Sequence, residues 1–162
     1  MDQLASYTTE STQGAESMMD IHTLVRPGIT ELFVTATSQN GNPYGIFADA
    51  IKTIEDNGAT VVSQHVFAQM GADNAGINAL GQRPWPVTWI DSGHTKGSHL
   101  AGTQFHAIIG ADVERIENNG RVVASVLEDA DARYCHLGDM RATDVSESRD
   151  DQTKRTFDLM ET

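Results

Sequence analysis

Two periods of hydrophobicity run along this chain, one of about two residues and one of about 3.6. The segment Ile29 to Gln39, ITELFVTATSQ, is β-branched and aromatic and then meets NGNP, which joins turn chemistry to a helix start. A strand followed by a helix is predicted. Asn42 is placed as the cap and Pro43 as the first helical residue, with Phe47, Ala50, Ile51 and Ile54 on one helical face and Gly58 as the stop. ATVVSQHVFAQM then reads as a strand from about Thr60 to Ala68, with Val62, Val66 and Ala68 on one side and Val61, His65 and Phe67 on the other.

Gly71 to Gln82, GADNAGINALGQ, is small, flexible and poor in charge, which reads as a long loop or short irregular helix. VTWI opens another strand, HTKGSHLAG makes a glycine-rich connection, and TQFHAIIGADVERI from Thr103 is expected as a strand paired to VTWI. NNG at Asn118 to Gly120 turns the chain into RVVASVLED. These elements predict an α+β fold: a single curved mixed sheet of four strands with one long helix packed on one face. The opposite face of that sheet is left needing a partner.

The two ends differ from this middle. MDQLASYTTESTQGAESMMD is polar, rich in Ser and Thr and without periodicity, so residues 1–28 are expected to be a flexible leader. ARYCHLGDMRATDVSESRDDQTKRTFDLMET repeats the plan of apolar strand, polar loop and amphipathic helix, with Phe157 and Met160 echoing Ile51 and Ile54. The division that follows is a domain at 29–130, with 131–162 as either the start of a second such unit or an ordinary C-terminal strand and helix.

Composition narrows the partners. A formal net charge of -12 and a pI near 4.7 disfavour a phosphate backbone or an anionic membrane surface, both of which recruit clustered Lys and Arg. No nucleic-acid or membrane partner is expected, since no stretch approaches the roughly 20 apolar residues of a span. The single cysteine, Cys135, fits a reducing, cytoplasmic setting and is read as a small buried apolar residue. His94, His99 and His106 match no compact zinc spacing, so neither a metal nor a cofactor is assigned. Glu128, Asp129, Asp131 and Arg133 read as a charged turn.

The strand entrance RPWPVTWIDSG, Arg83 to Gly93, concentrates two of the chain's four prolines around a tryptophan. Arg83 is a candidate for gripping a carboxylate, against the alternative of a solvated surface arginine. Alternation makes Trp89 a packing residue and leaves Trp85 free to stack on a ring. His106 is a candidate base, against the alternative of a satisfied, half-buried histidine.

Several longer words together resemble the RidA (YjgF) family, small α+β domains that assemble as trimers with clefts between neighbours. They are IFADAIKTIEDNGATVVSQHVF, similar to the family's helix and following strand, and PWPVTWIDSGHTKGSHLAGTQFHAIIG, similar to its strands beyond the loop. PVTWID followed by LAGTQFHAIIG is more narrowly similar to the first half of two-unit Rid-like proteins, a group that includes the chorismatases. The resemblance implies a chorismate-mutase-like layer, a homotrimer or a ring completed by a partner unit, and a small anionic metabolite in the cleft. In the deaminase branch it also implies a clamping arginine and a water-positioning glutamate. Here Pro86 stands at the first position and Gln104-Phe105-His106 replaces the acidic word, so catalytic residues remain unknown and imine deamination is not expected. The ligand-binding residues predicted are Arg83, Trp85, Gln104 and His106, converging on one rim if VTWI and TQFHAIIG pair. A chorismatase-like hydrolase or a non-catalytic, regulatory or structural unit are the function classes left.

Overall fold

A computed structural model describes residues 6–13, 17–38, 43–69, 81–91, 100–140 and 146–161. The helix expected first is there: α1, Pro43–Asp56, buries Phe47, Ala50 and Ile54 and sets Ile51 against the same core. Its end is closed by the Gly58 amide on the Glu55 carbonyl (2.8 Å) and the Ala59 amide on that of Ile54 (3.1 Å), the paired bonds of a Schellman cap. Asn42, the long loop over 71–80 and the connection over 92–99, with His94 and His99, lie outside the described residues.

Nine strands form around that helix among the described residues, in two sheets rather than one. They are β1 Ser6–Gln13, β2 Ser17–Arg26, β3 Ile29–Ser38, β4 Thr60–Ala68, β5 Val87–Asp91, β6 Leu100–Ile109, β7 Val113–Asn118, β8 Arg121–Glu128 and β9 Arg133–Leu137. The six-stranded sheet has the order β1-β2-β3-β6-β4-β5, antiparallel throughout except for β4 with β5. The second sheet, β7-β8-β9, is antiparallel. Since β3 and β4 both run against β6, they are parallel to each other, and α1 is the crossover that spans β6.

Residues expected to be a leader form β1 and the full length of β2. β1 is mostly Ser, Thr and Glu with only Tyr7 apolar, a composition that an edge strand tolerates because it stays wet. Pro27 and Gly28 turn β2 into β3, with Arg26 opposite Ile29. The pairing of VTWI with TQFHAIIG is also overturned: β5 pairs with β4 in parallel, and β6 lies between β3 and β4. Burial explains the choice. β6 is covered along most of its length and so takes neighbours on both sides, whereas β5 ends exposed and suits an edge. The single strand expected from Thr103 onward breaks at Gly110, whose φ of 97° carries the chain from one sheet to the other. The hairpin at Asn119 and Gly120 is as expected, both residues having positive φ as a two-residue turn of type I′ needs.

The domain boundary at 130/131 does not divide the structure, because β9 pairs with β8 residue for residue from Arg133 with Glu128 to Leu137 with Ala124. Beyond β9, α2, Arg149–Met160, starts on Ser148, whose side chain accepts from the Asp151 amide, and buries no residue. Phe157 and Met160 are exposed. Cys135 is exposed too, on β9, where successive side chains alternate outward.

The core has two sides. Leu32, Val34 and Ala36 of β3, Phe105 and Ala107 of β6 and Val61 of β4 meet Ile46, Ala50 and Ile54 of α1. Val66 and Ala68 join Phe47 on the same side. A bulge between Val61 and Ser63 reverses the alternation expected for β4, sending Val62 to the other face with Ile29, Ile108 and Leu127 of β8. The second sheet therefore covers part of the face that the sequence left bare.

Candidate functional site

Arg115 of β7 and Ser125 of β8 dock the second sheet on the β4 bulge. The Arg115 guanidinium donates to the carbonyls of Val61 and Val62 and to Ser125 Oγ, and Ser125 Oγ donates to Val62 O at 2.6 Å. Pro86 is fully buried, its carbonyl accepts from the Gln64 amide at 3.0 Å, and a Cβ on Gly138 would sit only 2.7 Å from Pro86 Cβ. The stiff entrance to β5 is thus a backstop against which the segment that follows β9 closes at Gly138. Two cavities, each of about 330 Å³, result from that docking.

The first lies between the entrance to β5 and the β7–β8 turn, with Gln64, Arg83, Trp85, Trp89, Arg121 and Asp139 among its walls. Trp85 is held rather than free: its Nε1 donates to Gln64 Oε1 at 2.9 Å, Gln64 Nε2 donates to Thr103 Oγ1 at 3.0 Å, and Thr103 Oγ1 donates to His65 O at 2.9 Å. The indole also meets Phe105 edge-on, with centroids 6.4 Å apart. Trp89 packs beside Phe47 and Val66, as expected. Arg83 lies 5.8 Å over the Trp85 ring, within cation–π range, and no carboxylate pairs with it among the described residues. Burial pushes its guanidinium below the ordinary value. Arg121 is neutralised by Asp139 at 2.7 Å. Among the described residues the cavity therefore holds one unmatched positive charge, that of Arg83, beside an aromatic wall.

The second lies between the sheets, walled by Leu24, Arg26, Glu31, His106, Leu127, Tyr134 and His136. Glu31 is bonded to His106 Nε2 at 2.9 Å and to Arg26 at 2.8 Å, and Arg26 reaches Asp129 at 3.0 Å. Asp129 accepts the amides of Asp131 and Ala132, both at 2.9 Å, which makes the expected charged turn and holds its carboxyl below the usual range. The His106 ring stacks on Phe33 at 4.7 Å and meets the His136 ring edge-on at 5.0 Å. Burial, and then His136, lower the His106 pKa against the pull of Glu31; burial lowers that of His136. Arg26 is raised by its bond with Tyr134 and by Glu31 and Asp129 beside it.

The expected rim does not assemble. Phe105 faces α1 and Trp85, so Gln104 and His106, its neighbours on β6, point to the opposite face. Gln104 is exposed, 3.5 Å from Thr35 Oγ1, and His106 is half-buried and bonded to Glu31 through Nε2. No family model matches the chain, and no curated protein or solved structure matches it at a significant level.

Four residues of the second cavity, Arg26, Glu31, Tyr134 and His136, escaped sequence reasoning. For Arg26 and Glu31 a signal existed: the Pro-Gly pair in HTLVRPGITELFV is a hairpin word, and it sets those two residues at the head of adjacent strands. His136 and Tyr134 had none, because only the docking of β9 brings them to His106. No helix among the described residues is long and apolar enough to cross a membrane.

Proposed function

We propose that this chain is a small-molecule-binding α+β unit whose principal ligand is a compact planar anion. The observation that carries the reading is Arg83: a guanidinium without a carboxylate partner among the described residues, stacked over an indole, at a cavity with room for about ten non-hydrogen atoms at roughly 30 Å³ each. Arginine offers a carboxylate two parallel N–H donors, and Trp85, immobilised through Gln64 and Thr103, offers a flat face at little entropic cost. Among the described lining residues the sole carboxylate, Asp139, is occupied by Arg121, and no histidine or cysteine is present. That inventory suits binding better than turnover.

The resemblance to the RidA family, a trimeric assembly and membership in a chorismatase-like hydrolase belong to this proposal as its finer form. Burial of Pro86 where the deaminase arginine would stand supports a unit without imine deaminase activity, and with it the alternative of a non-catalytic, regulatory or structural partner. Calorimetry of the full chain with benzoate, a cyclic unsaturated acid and a 2-oxo acid is the test. At least one is expected to bind, and Arg83→Ala to weaken it by about tenfold or more, the loss that goes with one charge-assisted hydrogen bond. Equal affinity for benzyl alcohol, or an unchanged affinity in Arg83→Ala, would remove the reading.

A further inference from the structure

The second cavity differs from the first in charge and in hydrogen-bonding sense. Arg26, from β2, is shared by two carboxylates, Glu31 of β3 and Asp129 of the β8–β9 turn, so the cluster carries a formal excess of one negative charge. Burial lowers the pKa of both imidazoles at its wall and so favours their neutral forms. A neutral imidazole has one donor nitrogen and one acceptor. His106, on β6, presents Nε2 to the Glu31 carboxylate, which can only accept, so the proton sits there and Nδ1 keeps its lone pair. Neither that Nδ1 nor either nitrogen of His136, on β9, bonds to any described residue. The remaining walls are the side chains of Leu24 and Leu127 and the ring of Tyr134, already covered on one side by Arg26 at 5.8 Å.

We propose that this inter-sheet cavity binds a small organic ammonium ion: a protonated primary amine on a short apolar body. Three N–H donors meet the surplus acceptors, the charge offsets the excess of Glu31 and Asp129, and the carbon chain lies against Leu24 and Leu127. An anion meets the repulsion of both carboxylates, and the cluster's one cation, Arg26, already pairs its two terminal nitrogens with them, leaving only Nε without a partner. The field of the whole chain acts in the same sense, a formal charge of -12 drawing cations to it. Protons and the ammonium ion compete here, because a charged His106 or His136 turns an acceptor into a donor and repels the ligand.

The test uses the full chain with butylammonium chloride as probe and n-butanol as its uncharged analogue, read by the imidazole signals in proton–carbon NMR spectra. At about pH 8, above the ordinary imidazole pKa of about 6.5, butylammonium is expected to shift the His106 and His136 signals saturably, and butanol not to. Affinity should fall as the pH is lowered through the range in which those two signals titrate. Glu31→Gln should weaken binding by about tenfold or more through loss of one charge, while Arg83→Ala leaves it unchanged. The wild-type comparison of amine, alcohol and pH stands on its own if Glu31→Gln does not fold. Equal shifts with butanol, no saturable shift, affinity that does not respond to pH, or full affinity in a folded Glu31→Gln each overturn the proposal.

Discussion

Both cavities depend on the docking of β7-β8-β9, and Arg115 is the side chain with most to do with it. Replacing Arg115 by Met keeps the aliphatic stem and removes only the guanidinium. That group donates to Val61 O, Val62 O and Ser125 Oγ, at a bulge where Val62 has no ladder partner. A hydrogen bond to a charged group contributes about 1.5–3 kcal/mol, and Val62 O retains its 2.6 Å bond from Ser125 Oγ after the change. Discounting for the partial exposure of Arg115, the expected loss is about 2 kcal/mol, or roughly 4–8 °C in Tm for a chain of this size. Urea unfolding should show a lower midpoint at unchanged slope, the mark of a folded-state effect. Ser125→Ala alone should cost less, about 1 kcal/mol, because Arg115 still serves Val62 O, and the double variant should depart from additivity through that shared acceptor. A loss in Arg115→Met below about 0.5 kcal/mol, the range of ordinary surface changes, would refute this account of how the sheets are joined.

Acid should weaken the fold through His106 and His136. Both have folded-state pKa values below their ordinary ones, so in the window below about 6.5 the unfolded chain binds more protons, and stability present above that window is lost as the pH falls through it. Urea midpoints across this range should therefore drop on acidification, and His136→Gln should flatten the drop; a rise would show that the native imidazoles hold protons more tightly instead. Gly110→Ala should destabilise by about 1–3 kcal/mol, since φ is 97° and the new Cβ would lie 2.6 Å from the Gly28 carbonyl oxygen, and a midpoint equal to wild type would contradict the geometry drawn for the passage between sheets.

Local chemistry was legible in the sequence wherever period and punctuation agreed. The helix from Pro43, its stop at Gly58, the strands from Ile29 and Thr60 and the Asn119–Gly120 turn all follow from residues a few positions apart. So does Trp89 as a packing residue. What tertiary structure alone decided is pairing and facing. Nothing local tells β6 to insert between β3 and β4, tells the chain to change sheets at Gly110, or reverses β4 at Val62; those outcomes depend on which apolar faces must be covered at once. The polar hairpin β1–β2 was missed for the same reason, since an edge needs little hydrophobic signal of its own once a neighbouring strand offers its backbone. Function divides likewise. Arg83 and Trp85 are near in sequence and came together, whereas Gln104 and His106 followed the pleat to the opposite face. There His106 met Glu31 and His136, 75 and 30 positions away, which only the packed sheets could bring within reach of it.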